Sequence, residues 1–459
     1  MAGALPEKIV AVLMTLAEEL ADWCVEGRDA SPARHEARVL RLVWRILPLL
    51  LRAVVEVATS ALDPRLARAR SACPGCGRKT EPHQVRGRQV LTTCGLLTLA
   101  RPWYHCAGCQ RGWSAAETVL GVARSTRVSD GLRAWLVRLG ATAPFRDAAA
   151  VLAELTGLEL SPETVRRHTV DAGLALRAAE DAAVGTVERT REAAEAAEPV
   201  PGVLLAEADG VMIRYLDGWH EVKVGLVAGW DDHAVQAASY VAAREPAERF
   251  GGRLLAEAAR RGALQVVGWA GGITGRALAV LREAVLLGDG AAWIWNLADE
   301  HLDRRIEIVD YWHACEHLHT LATALYGEGA RATAWARAQA GALLTQGAAA
   351  VLASLREVRA PTPEAAAVLR AERGYFTKHA ERMQYPQFQL DGLPIGSGAI
   401  ESAADHVVQH RMKRTGMRWS DAGGDAVLAL RARLRSGRPL LLPAAQAAGG
   451  QHGPRRRAA

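Results

Sequence analysis

The chain has no G-x-x-x-x-G-K phosphate loop and no complete G-x-G-x-x-G fingerprint, which removes the sequence support for an ATPase or a dinucleotide-dependent dehydrogenase. No apolar run is long enough to span a bilayer. The apolar run at residues 9–17 is flanked by Glu7, Lys8, Glu18 and Glu19, which argues for an amphipathic helix and against a cleaved signal peptide, so a cytoplasmic location is expected. Cysteine is sparse: there are 7, an odd number, and without a secretory leader that points to metal binding in a reducing compartment rather than to disulfides.

The 459 residues exceed one ordinary core, so two to four domains are expected. Half of the residues are hydrophobic and 23% are charged, a normal globular balance. The net charge of +6 is unevenly spread. Residues 65–113 carry a net +8 and residues 401–459 a net +7, which leaves the remainder acidic. Two basic zones suit a polyphosphate partner, although either zone alone is equally well read as a solvated surface.

Four cysteines form two pairs, Cys73-Pro-Gly-Cys76 and Cys106-Ala-Gly-Cys109. Each pair brackets a Gly-containing turn that aims two thiolates at one ion, and four thiolates make a closed structural Zn²⁺ site. The segments 89–93 and 96–100 read as the strands of a hairpin, giving a zinc ribbon. Arg86, Arg88, Arg101 and Arg111, interleaved with Trp103, Tyr104 and Trp113, tilt the ribbon toward nucleic acid.

Residues 1–60 read as an N-terminal helical region, with Leu40, Val43, Trp44, Ile46, Leu47 and Leu50 at helical spacing, a packing or oligomerisation element. The ribbon spans 61–120. A helix-turn-helix-like unit follows at 121–178: a helix over 147–155, a turn at Thr156-Gly157, and a helix capped by Ser161 with Pro162 at its first position. Arg166, Arg167 and His168 would be exposed on that second helix, as a recognition helix requires; an ordinary helical hairpin is the competing reading. The Ala/Glu-rich stretch 179–200 reads as a linker.

From Val203 the pattern turns to strands: 203–208 continuing through Tyr215, an Asp217-Gly218 hairpin turn, a return strand over 219–227 and a third over 234–242. A helix over 246–262 follows, then a buried strand at 284–288 ending in Asp289-Gly290, a helix over 293–301, and a strand at 305–309 ending in Asp310-Tyr-Trp-His313. A meander followed by β-α units matches a ribonuclease-H-like catalytic domain. Its first part is residues 201–313, an all-helical insertion covers 314–394, the final helix lies in 395–437, and 438–459 form a flexible basic tail. The Gly-rich piece 268–275 has no place in this scheme.

Phosphodiester cleavage at a two-metal site needs hard oxygen ligands that converge from different strands and a helix. Asp209 on the first strand, Asp289 at the end of a central strand and Glu401 after the Gly396-Ser397-Gly398 turn satisfy this, and would bind Mg²⁺ or Mn²⁺. With Ser397 as cap, Glu401 would sit in the first helical turn, where the macrodipole favours the carboxylate. The same helix then turns basic through Arg411, Lys413, Arg414 and Arg418, a surface for DNA. Glu207 lies on the same strand face as Asp209 and could compete as a ligand. A rival motif, His313-Ala-Cys-Glu316-His317, fits the H-x-x-E-H of inverted zinc peptidases but lacks a marked third ligand. A catalytically retired protein that only binds DNA through its zinc site is the other alternative.

Several blocks resemble the Kra-type insertion-sequence transposases, bacterial DDE transposases with Mutator-like relatives. They are Gly288-Asp-Gly-Ala-Ala-Trp-Ile-Trp-Asn-Leu297, Asp310-Tyr-Trp-His313 with Glu316-His317-Leu318, Tyr375-Phe376, Arg382-Met383, Gly392-Leu-Pro-Ile-Gly-Ser-Gly-Ala-Ile-Glu-Ser402 and Met417-Arg-Trp-Ser420. The resemblance runs from the ribbon to about residue 437. It implies a ribonuclease-H-like domain interrupted by a helical insertion between the second Asp and the Glu. It also implies metal-dependent cleavage of double-stranded DNA at transposon ends, strand transfer into target DNA, and action as a homodimer or larger assembly on DNA, at the nucleoid. By motif, Asp209, Asp289 and Glu401 are the implied catalytic acids, and Asp310 and His313 match the Asp-x-x-His element, with His313 a helper near the scissile strand.

Overall fold

The computed structural model describes residues 4–28, 30–58, 71–114, 127–184, 197–270, 276–281, 283–302 and 304–441. Residues 185–196 of the expected linker 179–200, residues 271–275 of the Gly-rich piece and the expected tail from 442 onward lie outside the described residues, and helix Pro162–Ala183 takes in the first residues of that linker. The chain divides into two compact units, Met1–His168 and Thr169–Ala459. No described helix is long and apolar enough to cross a membrane.

The first unit opens with helices Ala4–Glu26 and Pro32–Ala58. Of the apolar positions at helical spacing, Leu40 and Val43 are exposed, whereas Leu51 and Val55 of the second helix pack on Val90, Leu97 and Leu99. Those three belong to a long antiparallel hairpin. After the short strands β1 (Ser71–Ala72) and β2 (Lys79–Thr80) come β3 (Pro82–Thr92), β4 (Gly95–His105) and β5 (Gly112–Trp113), with β3 and β4 paired from Pro82↔Tyr104 to Thr92↔Gly95. The strands run well beyond the expected 89–93 and 96–100: Trp103 is buried on the face of Leu97 and Leu99, and Tyr104 on the other face packs with Cys73, Cys106 and Trp113. At the hairpin's end, Leu91 exchanges backbone hydrogen bonds with Arg127 and Ser129. Ser129 then caps the helix Asp130–Thr142, accepting from the Leu132 amide at 3.2 Å.

Helix Phe145–Thr156 ends at Gly157, which adopts φ +68°, a left-handed cap that favours glycine. Helix Pro162–Ala183 starts where Ser161 Oγ accepts from the Thr164 amide at 3.2 Å. Leu132, Leu136, Ala148, Leu152 and Val165 form the common core of the three helices.

The second unit is built on one five-stranded sheet. Strands β6 (Val203–Arg214), β7 (Trp219–Asp231) and β8 (Ala234–Ala243) form an antiparallel meander. Strands β9 (Leu264–Ala270) and β10 (Arg276–Leu281) pair antiparallel in a separate two-stranded sheet, and Gly268 of the Gly-rich piece falls on β9. Strands β11 (Ala284–Gly288) and β12 (Arg305–Val309) complete the sheet in the order β12-β11-β6-β7-β8, with β11 parallel to both β6 and β12. All five residues of β11 are buried, which explains why its sequence is an unbroken apolar run.

Helices cover both faces of the sheet. Gly225 of β7 lets Phe250 and Leu254 of helix Ala247–Ala258 approach closely; a Cβ there would lie 2.9 Å from Leu254. On the opposite face Glu207 of β6 reaches the backbone of helix Gly398–Ala403. That helix continues through a π-helical stretch, Ala404–Gln409, into His410–Met412, and helix Asp421–Arg435 packs beside it, with Arg431 Nε donating to the Val407 carbonyl at 3.0 Å. Between β12 and Gly398 the chain is helical, chiefly Tyr311–Tyr326, Ala330–Gln346, Ala348–Glu357 and Pro363–Lys378.

Candidate metal centre and carboxylate site

The four paired cysteines meet in space. Cys73 Sγ lies 3.4 Å from Cys109 Sγ, Cys76 Sγ lies 3.5 Å from Cys106 Sγ, and all four sulfurs lie within 4.8 Å of one another. A tetrahedral zinc with Zn–S bonds of about 2.3 Å places its sulfurs about 3.8 Å apart, so the donor set fits a structural zinc without rearrangement.

The two knuckles share a local pattern, Cys-x-Gly-Cys-x-Arg, in Cys73–Arg78 and Cys106–Arg111. The amide of Cys73 donates to the Arg78 carbonyl and that of Cys106 to the Arg111 carbonyl, both at 2.9 Å. The residue before each Arg is left-handed, Gly77 at φ +74° and Gln110 at φ +55°. This duplication is visible in the sequence and strengthens the spacing argument. The Cys109 amide holds the Cys106 thiol down to about 6, toward the thiolate a metal needs. Cys73, by sharing a hydrogen bond, pushes the Cys109 thiol up to about 11.

Beside the knuckles, Arg86 and Arg101 are register partners on β3 and β4, and both guanidinium groups lie over the Trp103 ring, at 4.5 and 5.2 Å. Arg86 is exposed; Arg88 and Arg101 are half-buried. On the helix after Ser161, Arg166 and Arg167 are exposed, with Arg166 paired to Glu163 at 2.7 Å. His168, expected to be exposed with them, is buried, because it falls on the core side of the helix turn.

In the second unit Asp209, Asp289 and Glu401 come from three separate elements of one sheet-and-helix layer. Asp209 lies on β6 and accepts from the Gly210 amide at 2.7 Å. Asp289 directly follows β11, the parallel neighbour of β6, and accepts from the Ala291 amide at 2.8 Å. Burial raises the Asp209 carboxyl, and the nearby charges of Asp289 and Glu401 raise it further. Asp209 thus has two acidic neighbours whose charges oppose its own, a repulsion that a bound cation would relieve. They do not form a single-ion cage: among the described residues, the cysteine cluster is the one group whose ligand atoms all lie within 4.8 Å. Two divalent ions about 4 Å apart, each bound at about 2.1 Å, span about 8 Å between outer ligand oxygens, so a two-ion site has looser spacing.

Glu401 stands in the first turn of its helix, but Ser397 does not cap that helix through its hydroxyl. Ser397 Oγ instead donates to Glu401 Oε1 at 3.4 Å. Two buried carboxylates satisfy the helix start. Glu207 Oε2 accepts from the Ile400 amide at 2.8 Å, and Asp310 Oδ2 accepts from the Ser397 amide. Asp310 Oδ1 takes the His313 amide at 2.6 Å and so caps helix Tyr311–Tyr326 as well. Glu207 is therefore tied to the backbone of the Glu401 helix, and burial pushes its carboxyl up to about 8. Sequence reasoning missed this role, because the partners lie far apart in the chain.

His313 is half-buried, with Nδ1 3.5 Å from Glu316 and its ring edge-on to His317 at 5.1 Å. His317 Nδ1 is engaged by Glu372 Oε2 at 2.7 Å, and no group of three ligands among the described residues includes this His pair. Of the basic residues after Glu401, Arg411 is buried, with its guanidinium 4.9 Å above the Trp419 ring. The helix ends at Met412, so Lys413, Arg414 and Arg418 are exposed on the turn that follows rather than on a helical face.

No curated protein matches the chain. Residues 36–255 match the model of an uncharacterised protein family (UPF0236), a span that includes the four clustered cysteines and Asp209 and ends before Asp289 and Glu401.

Proposed function

We propose that the protein is a DDE transposase of a bacterial insertion sequence, cleaving double-stranded DNA at element ends and joining the freed 3′ ends to target DNA. The observation that carries this reading is the placement of Asp209 within reach of the charges of Asp289 and Glu401. Asp209 lies on the strand that starts the meander, Asp289 ends its parallel neighbour, and Glu401 is brought back by a helix tied to the same strand. The strand order, an antiparallel meander with two parallel strands added beside its first, supports a ribonuclease-H-like core. The helices from 311 to 390 form the interruption between the second Asp and the Glu.

Asp209, Asp289 and Glu401 would hold Mg²⁺ or Mn²⁺, which when bound supplies charge stabilisation at the attacking and leaving oxygens. The protein's own contribution is positioning. Backbone amides orient Asp209 and Asp289, and Glu207 with Asp310 set the entry of the Glu401 helix. The Asp310 cap fixes the start of the helix bearing His313, which would stand near the scissile strand. Arg86, Arg88, Arg101, Arg166 and Arg167 in the first unit, and Lys413, Arg414 and Arg418 in the second, would hold DNA phosphates. Assembly as a dimer or larger on nucleoid DNA belongs to the same reading. Nicking of supercoiled plasmid in Mn²⁺, lost in Asp289→Asn, tests it; a zinc-loaded wild-type protein that binds duplex DNA and never nicks it overturns it.

A further inference from the structure

The helical insertion closes one side of the carboxylate site with a tyrosine. Tyr375 lies on helix Pro363–Lys378, far in sequence from the three acids. Its ring rests against the Asp289-Gly290 turn: a Cβ built on Gly290 would sit 3.2 Å from the ring and 3.3 Å from the hydroxyl. Gly290 also adopts φ +101°, a conformation that favours glycine. On one face of the ring the His317 imidazole stacks at 3.7 Å and 17°, and Glu372 holds that imidazole at 2.7 Å. The ring is therefore held at its edge by the turn and on one face by the imidazole.

The hydroxyl itself is buried and has no hydrogen-bond partner among the described residues. A tyrosine hydroxyl is neutral at ordinary pH and can donate one hydrogen bond. Leaving a buried hydroxyl unpaired destabilises the fold, so such groups are rare without a reason. An acceptor that arrives with the substrate supplies one, and beside Asp289 the arriving acceptor is an anionic oxygen.

We propose that the Tyr375 hydroxyl donates a hydrogen bond to a non-bridging oxygen of the phosphodiester bound at Asp289, making Tyr375 a catalytic residue contributed by the helical insertion. The inference rests on reading Asp289 as part of a phosphoryl-transfer site. A donor fixed before the substrate arrives stabilises charge on the phosphoryl oxygens without reorganisation at the moment of reaction.

Tyr375→Phe in the full-length, zinc-loaded protein keeps the ring and its stacking and removes only the donor. Single-turnover nicking of supercoiled plasmid in Mn²⁺ should slow by about 10- to 100-fold, with affinity for a short duplex in Ca²⁺ falling by no more than about 5-fold. In parallel, wild-type protein labelled with 3-fluorotyrosine, its residue-375 resonance assigned by its loss in Tyr375→Phe, should show that resonance move on adding the duplex in Ca²⁺. An unchanged nicking rate in Tyr375→Phe, or a resonance that stays put on duplex binding, overturns the role of Tyr375. A wild-type protein that never nicks overturns the transposase reading instead, and the fluorine shift still decides whether the hydroxyl meets a phosphate.

Discussion

Glu207 and Ile400, 193 residues apart, are joined by a 2.8 Å hydrogen bond in which the Ile400 amide donates to a carboxylate buried in the central strand. Asp310 does the same for the Ser397 amide across 87 residues. The turn Gly396-Ser397-Gly398 is thus held to the sheet at two points, and Glu401 follows from where those two points are.

Replacing the metal-binding candidates one at a time should separate chemistry from binding. Asp209→Ala, Asp289→Ala and Glu401→Ala are each expected to lower metal-dependent cleavage by at least about 10³-fold, while duplex affinity at fixed salt stays measurable. Nicking assays run beside anisotropy titrations check this, and full activity in Glu401→Ala removes Glu401 from the site.

Glu207 should make stability depend on pH. Its folded value of about 8 lies above the ordinary carboxylate range because burial disfavours the charged form. The unfolded chain therefore ionises first as pH rises, and stability that is full at pH 4 declines until about pH 8. Glu207→Gln retains an acceptor for the Ile400 amide and cannot ionise. Urea unfolding should find the variant more stable than wild type by on the order of 2–4 kcal/mol at pH 8.5, and little different at pH 4. Equal differences at both pH values would contradict the assignment.

The cysteine cluster should hold one zinc per chain, measurable by metal analysis of purified protein. Cys76→Ser or Cys106→Ser should lose it, and chelation should raise amide exchange across residues 71–113 while leaving β6 and β11 protected. Protein purified without zinc, yet fully protected over that hairpin, would show that the thiols hold no metal.

Arg411 and its neighbours should behave differently from one another. Arg411 is 1% exposed and stacked over Trp419, so Arg411→Ala is expected to cost about 2–4 kcal/mol of stability. Lys413→Ala and Arg414→Ala should leave stability within about 0.5 kcal/mol and each reduce the salt dependence of duplex binding by about one in log–log slope. Denaturation curves and salt titrations on the three variants separate the two classes.

What the sequence by itself determined was local. The Cys-x-Gly-Cys spacing carried the cysteine cluster, because a two-residue turn forces both thiols to one side. The apolar run at Ala284–Gly288 and the polar/apolar alternation of Arg305–Val309 carried their strands to the residue, and Ser161-Pro162 carried a helix start, because each signal lies within a few residues of what it controls. Periodicity did not reveal that Arg411 and His168 point inward, since a charged or polar residue on a helix is normally read as facing solvent. Nor did it reveal that Glu207 and Asp310 anchor the Glu401 helix, or that Tyr375 from the insertion reaches the Asp289 turn. Those relationships decide how the candidate site is assembled. They exist only once elements remote in sequence are packed together, where burial removes water and a backbone amide or a carboxylate must find its partner within the protein.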